Sequence, residues 1–463
     1  MKKFLTLSMA LLMVLALLAA CGNNEPASTS TPTPTPASTG DTQQSEDPPQ
    51  VFDEPPTVLS VMFHATWLTP MAEASFALVA EQLNIEWEWI IAPDGADGEQ
   101  VIFTKINSGE APDILWWQGA RSIERTMGAD KFEDVSGGWM QHYDADALKN
   151  NTYTLESGKV LAAPYGDANV NVWIYNKKVF ADAGITTLPR TWSEFLDACE
   201  KIRAIGVDPV FFAGQDGWTL QLPTLNTYEV IGKFVPGAGD ALAVNDKKWV
   251  EMDLLLETYE RMIELQAKGF VNDNLMSADY AASQHAVING TAAMFMMPCS
   301  WFDGELQSWA TPEEMDGLSM MPVNFTEDPA KLSGLAWGPQ GFSLPVDSPN
   351  KDLAREAIFA LVSPASIQAR YDVSPGIPFI LESAGVNPGD AVGIVRGAYE
   401  NIIAPGHMIV AAFPGPNYLY NYNYLVDNMQ EMMMGRITPM QALEIADEHV
   451  RNQALEAGDP NWE

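Results

Sequence analysis

Tryptophan side chains stand beside polar residues at several points where a predicted strand ends. Trp67 follows a strand predicted over 58–63, and Trp218 follows one predicted over 207–212. Ligands of open α/β sheets bind beyond the carboxyl ends of the strands, so these loops hold the candidate binding residues. An aromatic face covers the C–H patches of a sugar-like molecule, while carboxylates, amides and imidazole bond to its hydroxyls. The further candidates of this kind are His64, Trp117, Gln118, Asp216, Trp337 and Gln340.

Three points about the candidate residues stay open in the sequence. Trp116 and Trp117 are neighbours, so strand alternation turns one of them away from the other, and the pattern does not say which faces a ligand. His64 is either a ligand contact or a supporting hydrogen-bond partner. The tyrosines and asparagines over 417–424 form an aromatic-amide cluster that could reach the same site. The remaining tryptophans assigned to packing are Trp87, Trp89, Trp139, Trp192 and Trp249.

Motifs for catalysis are missing. The chain has no Gly-x-Ser-x-Gly elbow, phosphate loop or His-Glu-x-x-His, and its five histidines are not at ligand spacing. The acidic run 94–99 lacks the oxygen positions of a calcium loop and is interpreted as a turn. We therefore expect no catalytic residue, metal or cofactor. A secreted glycosidase is the main alternative to a binding protein. Such an enzyme needs a pair of carboxylates, and a chain with 61 acidic residues always supplies some pair.

Strand and helix patterns alternate from Thr57 onward. Periodicity predicts strands over 58–63, 85–91 and 113–117, with helices over 71–83 and 101–108 between them. This order favours a doubly wound α/β layer. A second set follows: a strand over 172–176, capping boxes at 191–194, 311–314 and 438–441, and helices over 253–268 and 422–434. The helix after Thr191 carries Trp192, Phe195, Cys199 and Ile202 on one stripe, which makes Cys199 a core residue.

The N-terminus has the composition of an export signal. Lys2 and Lys3 precede an apolar run over 4–20, and Leu18-Ala19-Ala20 leads to Cys21, which resembles a bacterial lipoprotein signal. The resemblance implies cleavage before Cys21 and a diacylglycerol lipid on its sulfur, so that 1–20 is the signal peptide. Residues 21–56 then form a Thr/Pro-rich linker, which we expect to be disordered because it has little apolar surface to bury. A transmembrane helix is the alternative, but 17 residues are at the short limit for spanning.

Charge and cysteine content exclude other classes. The 61 acidic and 25 basic residues give a net charge of −36, which would repel nucleic acid. Three widely spaced cysteines, Cys21, Cys199 and Cys299, form neither a disulfide framework nor a zinc cluster.

Five segments in order resemble a known family. They are Gly158–Gly166 leading to Trp173–Phe180, Leu188–Leu196, Asn289–Phe295 leading to Ser300-Trp301, Gly341–Pro345 leading to Ser348–Lys351, and Pro375–Pro378. Together they resemble the extracellular solute-binding proteins of ABC-type sugar importers, a group that includes maltodextrin-binding proteins.

The resemblance implies a two-lobe periplasmic-binding-protein fold of type II, with hinge strands. It implies lobe 1 from 57–166 plus 300–345, lobe 2 from 167–299 plus 346–463, and chain crossings near 164–170, 297–301 and 343–351. It adds Tyr165, Asp167, Trp301 and Asp303 to the expected ligand-binding residues. The implied protein is a monomer on the outer face of the cell membrane, which delivers a mono- or oligosaccharide to ABC permease subunits. A sugar sensor partnered with a membrane kinase is the third possibility, since it shares fold and ligand.

Overall fold

The computed structural model describes residues 54–93, 96–150, 153–155, 157–299, 306–410, 422–456 and 458–462. Its strands in chain order are β1 (Thr57–His64), β2 (Ile85–Ala92), β3 (Ile114–Trp117), β4 (Ala163–Pro164), β5 (Asn169–Asn176), β6 (Asp208–Val210), β7 (Ala292–Pro298), β8 (Leu318–Met321), β9 (Gly334–Trp337), β10 (Gly341–Ser343) and β11 (Met408–Val410). The strands predicted over 58–63, 85–91, 113–117 and 172–176 are confirmed within one to three residues.

The α-helices of the described residues surround these strands. They are α1 (Pro70–Leu83), α2 (Ala96–Ser108), α3 (Ala120–Thr126), α4 (Ala145–Asn150), α5 (Lys177–Asp182), α6 (Trp192–Ala204), α7 (Leu222–Phe234), α8 (Ala238–Ala243), α9 (Asp253–Ala267), α10 (Tyr280–Asn289), α11 (Pro312–Asp316), α12 (Lys351–Leu361), α13 (Pro364–Tyr371), α14 (Gly393–Ala398), α15 (Tyr422–Met433) and α16 (Pro439–Glu456). No helix in this part of the chain is both long and apolar enough to cross a bilayer.

Side-chain caps fix where several helices begin. The Thr191 hydroxyl accepts from the Glu194 amide at 3.2 Å, and the Glu194 carboxylate accepts from the Arg190 amide at 2.7 Å. At α11 and α16 the bonds are reciprocal: the Thr311 and Thr438 hydroxyls accept from the amides of Glu314 and Gln441, whose side chains accept from the amides of Thr311 and Thr438. These bonds satisfy amides that the first helical turn leaves without partners. The capping boxes predicted at 311–314 and 438–441 are confirmed, whereas at 191–194 only the Thr191 half is formed, because the Glu194 carboxylate accepts from the amide of Arg190 and not from that of Thr191. Cys199 is fully buried within α6, as predicted.

The first sheet has the strand order β2-β1-β3-β10-β4. Strands β1, β2 and β3 are parallel, and β10 pairs antiparallel with both β3 and β4. The β1–β2 register runs from Thr57 opposite Ile85 to His64 opposite Ala92. The carboxyl ends of these parallel strands therefore share one edge, which we call edge 1.

The second sheet has the order β11-β9-β5-β7-β6, with β8 also paired to β5. Strand β5 is antiparallel to β7, β8 and β9, whereas β6 is parallel to β7 and β11 is parallel to β9. The carboxyl ends of β6, β7, β9 and β11 consequently share an edge with the amino end of β5. We call this edge 2.

Each sheet carries its own core, and the cores define two lobes. Lobe 1 is built on the first sheet and includes α12 and α13, whose Ala354, Ala357, Ile358 and Ile367 pack in its core. Lobe 2 is built on the second sheet and includes α14, α15 and α16. Both lobes belong to one compact unit, Gln50–Glu463.

The predicted lobe boundaries need correction at two segments. Strands β8 and β9 lie within 300–345 but pair with β5 of lobe 2. Helices α12 and α13 lie beyond 346 but pack in the lobe 1 core. Strand pairing decides the first assignment and core packing the second, both between distant segments, and periodicity along the chain reports neither.

Among the described residues, the chain passes from one lobe to the other over 165–168, 338–340 and 388–392, and Ile377 also packs in the lobe 2 core. The first was predicted. The crossing predicted over 297–301 is wrong for its described part, because Cys299 packs in the lobe 2 core, and the one predicted over 343–351 is wrong because the chain stays in lobe 1 there.

The first two crossings make the two edges face each other. Residues 165–168 connect β4 at edge 1 to β5 at edge 2, and residues 338–340 connect β9 at edge 2 to β10 at edge 1. The longer segment, 165–168, can span at most about 17 Å, so it keeps the end of β4 close to the start of β5. The fold therefore places the carboxyl edges of both sheets on either side of one hinge.

Candidate functional site

Edge 1 carries a cluster of aromatic rings at the ends of β1 and β3. The His64 ring lies 5.1 Å from the Trp67 ring and 5.4 Å from the Trp117 ring, centroid to centroid. Trp67 also contacts Trp116 at 5.6 Å. His64 and Trp117 are 5% and 1% exposed, whereas Trp67 is half-buried. Trp67 is therefore the ring that this cluster presents outward.

A hydrogen bond fixes the tautomer of His64. Its Nδ1 lies 2.7 Å from the carbonyl oxygen of Pro93, which follows β2. A carbonyl oxygen can only accept, so Nδ1 carries the hydrogen and Nε2 of the neutral ring is left as an acceptor. Gly98 packs on the same carbonyl: a Cβ at residue 98 would lie 1.7 Å from the Pro93 oxygen. The carboxyl ends of β1 and β2 are thus locked together at His64.

The two neighbouring tryptophans of β3 point to opposite faces of the sheet. Trp116 packs with Phe76, Tyr165 and Phe342 in the main lobe 1 core. Trp117 packs on the other face beside Phe103, and its Nε1 donates to the Ser122 hydroxyl at 3.0 Å. Both rings are buried and both touch Trp67. Gln118, the next residue, is exposed.

Edge 2 carries a second aromatic pair beside a carboxylate. Trp218 meets Tyr280, the first residue of α10, edge to face at 5.2 Å, and both rings are half-buried. The Asp216 carboxylate accepts from the Tyr280 amide at 2.6 Å and so fixes the loop after β6 to the start of α10. The sequence predicted Trp218 and Asp216 but missed Tyr280. The signal available in the sequence was Asp279, a residue type that caps helix N-termini and so marks Tyr280 as the first residue of a helix.

Trp337 stands at the end of β9, where the second crossing begins. It is half-buried and lies opposite Asn169 in the sheet register. The Asn169 side chain reaches the carbonyl of Gly338 at 3.5 Å. Trp337 therefore borders the hinge on the side of lobe 2, and Gln340 follows within the same crossing.

Tyr165 and Asp167 lie in the first crossing and are buried there. The Tyr165 ring packs on Phe342 at 4.6 Å, and the Asp167 carboxylate pairs with Arg370 of α13 at 3.2 Å. In this arrangement of the lobes neither side chain offers an open surface, so their contact with a ligand stays a prediction. Arg370 is a residue that the sequence did not point to, since it lies 203 positions from its partner.

Several predicted residues lie outside the part of the chain that the structure describes. They are Cys21, Trp301 and Asp303, together with most of the aromatic-amide cluster 417–424. Of that cluster, the backbone of 422–424 belongs to the first turn of α15.

The side chains at the two edges are of the kinds that suit a molecule with apolar faces and hydroxyl groups. Trp67 is the outward ring of lobe 1, and Trp218, Tyr280 and Trp337 are the half-exposed rings of lobe 2. Exposed polar groups stand beside the rings of each lobe, namely Gln118 and Asp216. Rings supply apolar contact area at little conformational cost, and the polar groups orient a bound molecule through hydrogen bonds.

Known proteins are similar to this chain in sequence and in fold. The sequence profile described as bacterial extracellular solute-binding protein matches residues 65–368. A multiple sugar-binding protein of Streptococcus mutans is 26% identical over 294 residues, 60% of this chain and 64% of the relative. The diacetylchitobiose binding protein DasA of Streptomyces coelicolor is 26% identical over 155 residues, 33% of each chain. The chain thus matches less than two thirds of the length of these relatives.

Solved structures share the fold at low identity. A chitin oligosaccharide binding protein has a TM-score of 0.67 at 19% identity, covering 86% of this chain and 98% of its own. RafE in complex with raffinose also has a TM-score of 0.67, at 16% identity, covering 85% of this chain and 98% of its own. The match over nearly the whole of both structures shows the two-lobe α/β architecture.

Proposed function

This chain belongs to the bacterial extracellular solute-binding protein family, and from that premise we propose that it captures a carbohydrate between its lobes and delivers it to an ABC permease. The observation that carries the proposal is the pair of facing edges, each with an outward tryptophan beside a polar group. The names of the relatives support the ligand class: multiple sugars, diacetylchitobiose, chitin oligosaccharide and raffinose. The bound sugar is released chemically unchanged.

Binding proceeds by closure of the lobes about the three crossings. A ligand shifts the open-closed equilibrium only by its difference in affinity for the two states, so it must touch both lobes. Trp67 covers one face from lobe 1, while Trp218, Tyr280 and Trp337 contact it from lobe 2. His64 supports Trp67 from behind, and the expected contacts of Trp117, Tyr165, Asp167, Trp301 and Asp303 belong to the same proposal. An affinity in the micromolar range corresponds to about −8 kcal/mol.

The first test is a calorimetric titration with mono- and oligosaccharides, in the parent and in Trp67→Ala. We expect at least about tenfold weaker binding in Trp67→Ala, because a stacked ring contributes on the order of 1.5 kcal/mol beyond its buried area. Trp67→Phe keeps an aromatic face and should recover most of the affinity. Equal affinity of the alanine variant, with an unchanged melting temperature, would remove Trp67 from the site. Cleaved sugar in the recovered sample would favour the glycosidase instead.

Membrane attachment through Cys21 is part of the proposal and needs its own test. The lipid on its sulfur, with a second acyl chain, would hold the protein at the outer face of the membrane. Cys21→Ser should yield protein that is released into the medium, while Cys199→Ser, in the buried core, should remain attached. Fractionation of cells expressing each variant measures this. Continued membrane association of Cys21→Ser would refute the lipid anchor.

A further inference from the structure

His64 has a hydrogen-bond acceptor that no described residue uses. Its Nδ1 donates to the Pro93 carbonyl at 2.7 Å, so Nε2 of the neutral ring can only accept. Nε2 has no donor among the described residues, and it is not one of the fully buried side-chain atoms that lack a partner. An accessible acceptor therefore stands at edge 1, in a ring whose centroid lies 5.1 Å from that of Trp67.

Two successive hydrogen bonds fix the amide of Gln118. The indole Nε1 of Trp117 can only donate, and it donates to the Ser122 hydroxyl at 3.0 Å. The Ser122 hydrogen is then directed to Gln118 Oε1, 3.5 Å away. Because Oε1 accepts this bond, the amide nitrogen of Gln118, which only donates, is left for other partners. Gln118 is exposed, so a ligand can reach that nitrogen.

Edge 1 thus presents one acceptor and one donor whose roles are fixed from inside lobe 1. The rings of His64 and Trp117 lie 5.4 Å apart, and Gln118 follows Trp117 directly, so both groups belong to the same end of the sheet. Neither group can exchange its role without breaking a bond to Pro93 or Ser122. All of these residues lie in one lobe, so the pattern does not depend on how the two lobes are arranged.

We propose that this fixed polarity selects the ligand: His64 Nε2 accepts from a ligand hydroxyl, and Gln118 Nε2 donates to a ligand oxygen. The inference rests on the proposed carbohydrate function and names the groups that the carbohydrate must carry beside the face covered by Trp67. Those groups are a free hydroxyl, which can donate, and a second oxygen, which can accept. A sugar with that hydroxyl methylated or replaced by fluorine has lost the donor. It leaves the His64 acceptor unpaired and is therefore rejected.

The first test compares His64→Asn with His64→Gln in calorimetric titrations with a panel of neutral sugars that includes raffinose and diacetylchitobiose. At about pH 8 an ordinary imidazole is neutral, so the parent offers Nε2 as an acceptor. The shorter asparagine keeps an amide donor for Pro93 but has no acceptor at the Nε2 position, where glutamine places its amide oxygen. We expect His64→Asn to bind at least about tenfold more weakly than the parent, and His64→Gln at least about threefold more tightly than His64→Asn.

The second test reverses the polarity at residue 118. Gln118→Glu keeps an oxygen for the Ser122 hydroxyl but replaces the donor by a second acceptor oxygen. We expect sugar binding at least about tenfold weaker, because two acceptors then face each other. Gln266→Glu, at an exposed position of α9 in lobe 2, makes the same change of charge and should bind within about twofold of the parent.

A long-range proton–nitrogen NMR spectrum of the ligand-free parent checks the His64 tautomer without any sugar. The His64 signals, identified by their loss in His64→Gln, should show the hydrogen on Nδ1. A hydrogen on Nε2, equal affinities of the two His64 variants, or parent-like binding by Gln118→Glu would overturn the inference and leave the carbohydrate proposal standing. A parent that binds no sugar of the panel would overturn both.

Discussion

Asp113 shows how one side chain can hold distant segments of lobe 1 together. It is 3% exposed and has no cation beside it among the described residues. Its Oδ2 accepts from the Ser60 amide and hydroxyl at 2.9 and 3.0 Å, and its Oδ1 accepts from Ser348 and from two nitrogens of Asn350. These bonds tie β1 to the start of β3 and to the turn that precedes α12. The charge is stabilised by donors alone.

Replacing this carboxylate should destabilise lobe 1. We expect Asp113→Ala to lower the free energy of unfolding by about 3 kcal/mol, because several buried donors lose their acceptor at once. Asp113→Asn keeps one oxygen and should lose about half as much. Denaturant unfolding measures both, with the exposed Glu81→Ala on α1 as control, expected within about 0.5 kcal/mol of the parent. Equal stability of Asp113→Ala and the control would contradict this role.

At the same scale, the sequence predicted residue types better than their partners. Trp67 and Trp218 were predicted because an aromatic residue after a predicted strand is visible in the order of residues, and the structure places both rings half-buried after β1 and β6. The function of Asp113 and the pairing of Asp167 with Arg370 were not, because each depends on a contact across more than 50 positions of the chain. No local spacing encodes such a contact.

Elements were largely predictable because their signals are local. The β-like runs of β1 and β2, the stripe on α6 and the capping boxes at 311–314 and 438–441 all appear within a few residues of sequence, and the structure confirms them. The lobe membership of β8, β9, α12 and α13 was wrong because it depends on which strand or helix each one meets. Strand β5, antiparallel among strands of one direction, is what draws β8 and β9 into lobe 2.

The two lobes also differ in the side chains that fill them. Lobe 2 buries ten methionines in its main core, among them Met294 and Met296 of β7 and Met320 and Met321 of β8. Among the described residues, the main lobe 1 core buries one methionine, Met71. Methionine is unbranched and adapts to irregular space, so the lobe 2 core is the more deformable of the two.

For the molecule as a whole, the net charge of −36 bears on which ligands it accepts. Near the cleft, Asp216 and Asp279 flank Trp218 and Tyr280, and the Arg370 charge is already paired with Asp167. An anionic sugar would therefore approach a negative surface and find the hinge arginine occupied. The proposed carbohydrate site should prefer uncharged ligands.

This preference can be measured with neutral and uronic-acid oligosaccharides of equal length. At low ionic strength we expect the neutral series to bind at least about tenfold more tightly, and the difference to shrink as salt screens the charges. Calorimetry in two salt concentrations provides the comparison. Tighter binding of the uronates, or a difference that does not respond to salt, would show that overall charge does not select the ligand.

The interleaving of the lobes along the chain has a consequence for synthesis. The lobe 1 core draws on residues from Leu59 to Ile380, and the lobe 2 core on residues from Ala168 to Trp462. Neither half can complete its interior until most of the polypeptide has emerged, so both must acquire their final form late and nearly together. A fragment that stops before α13 would hold an unfinished version of each.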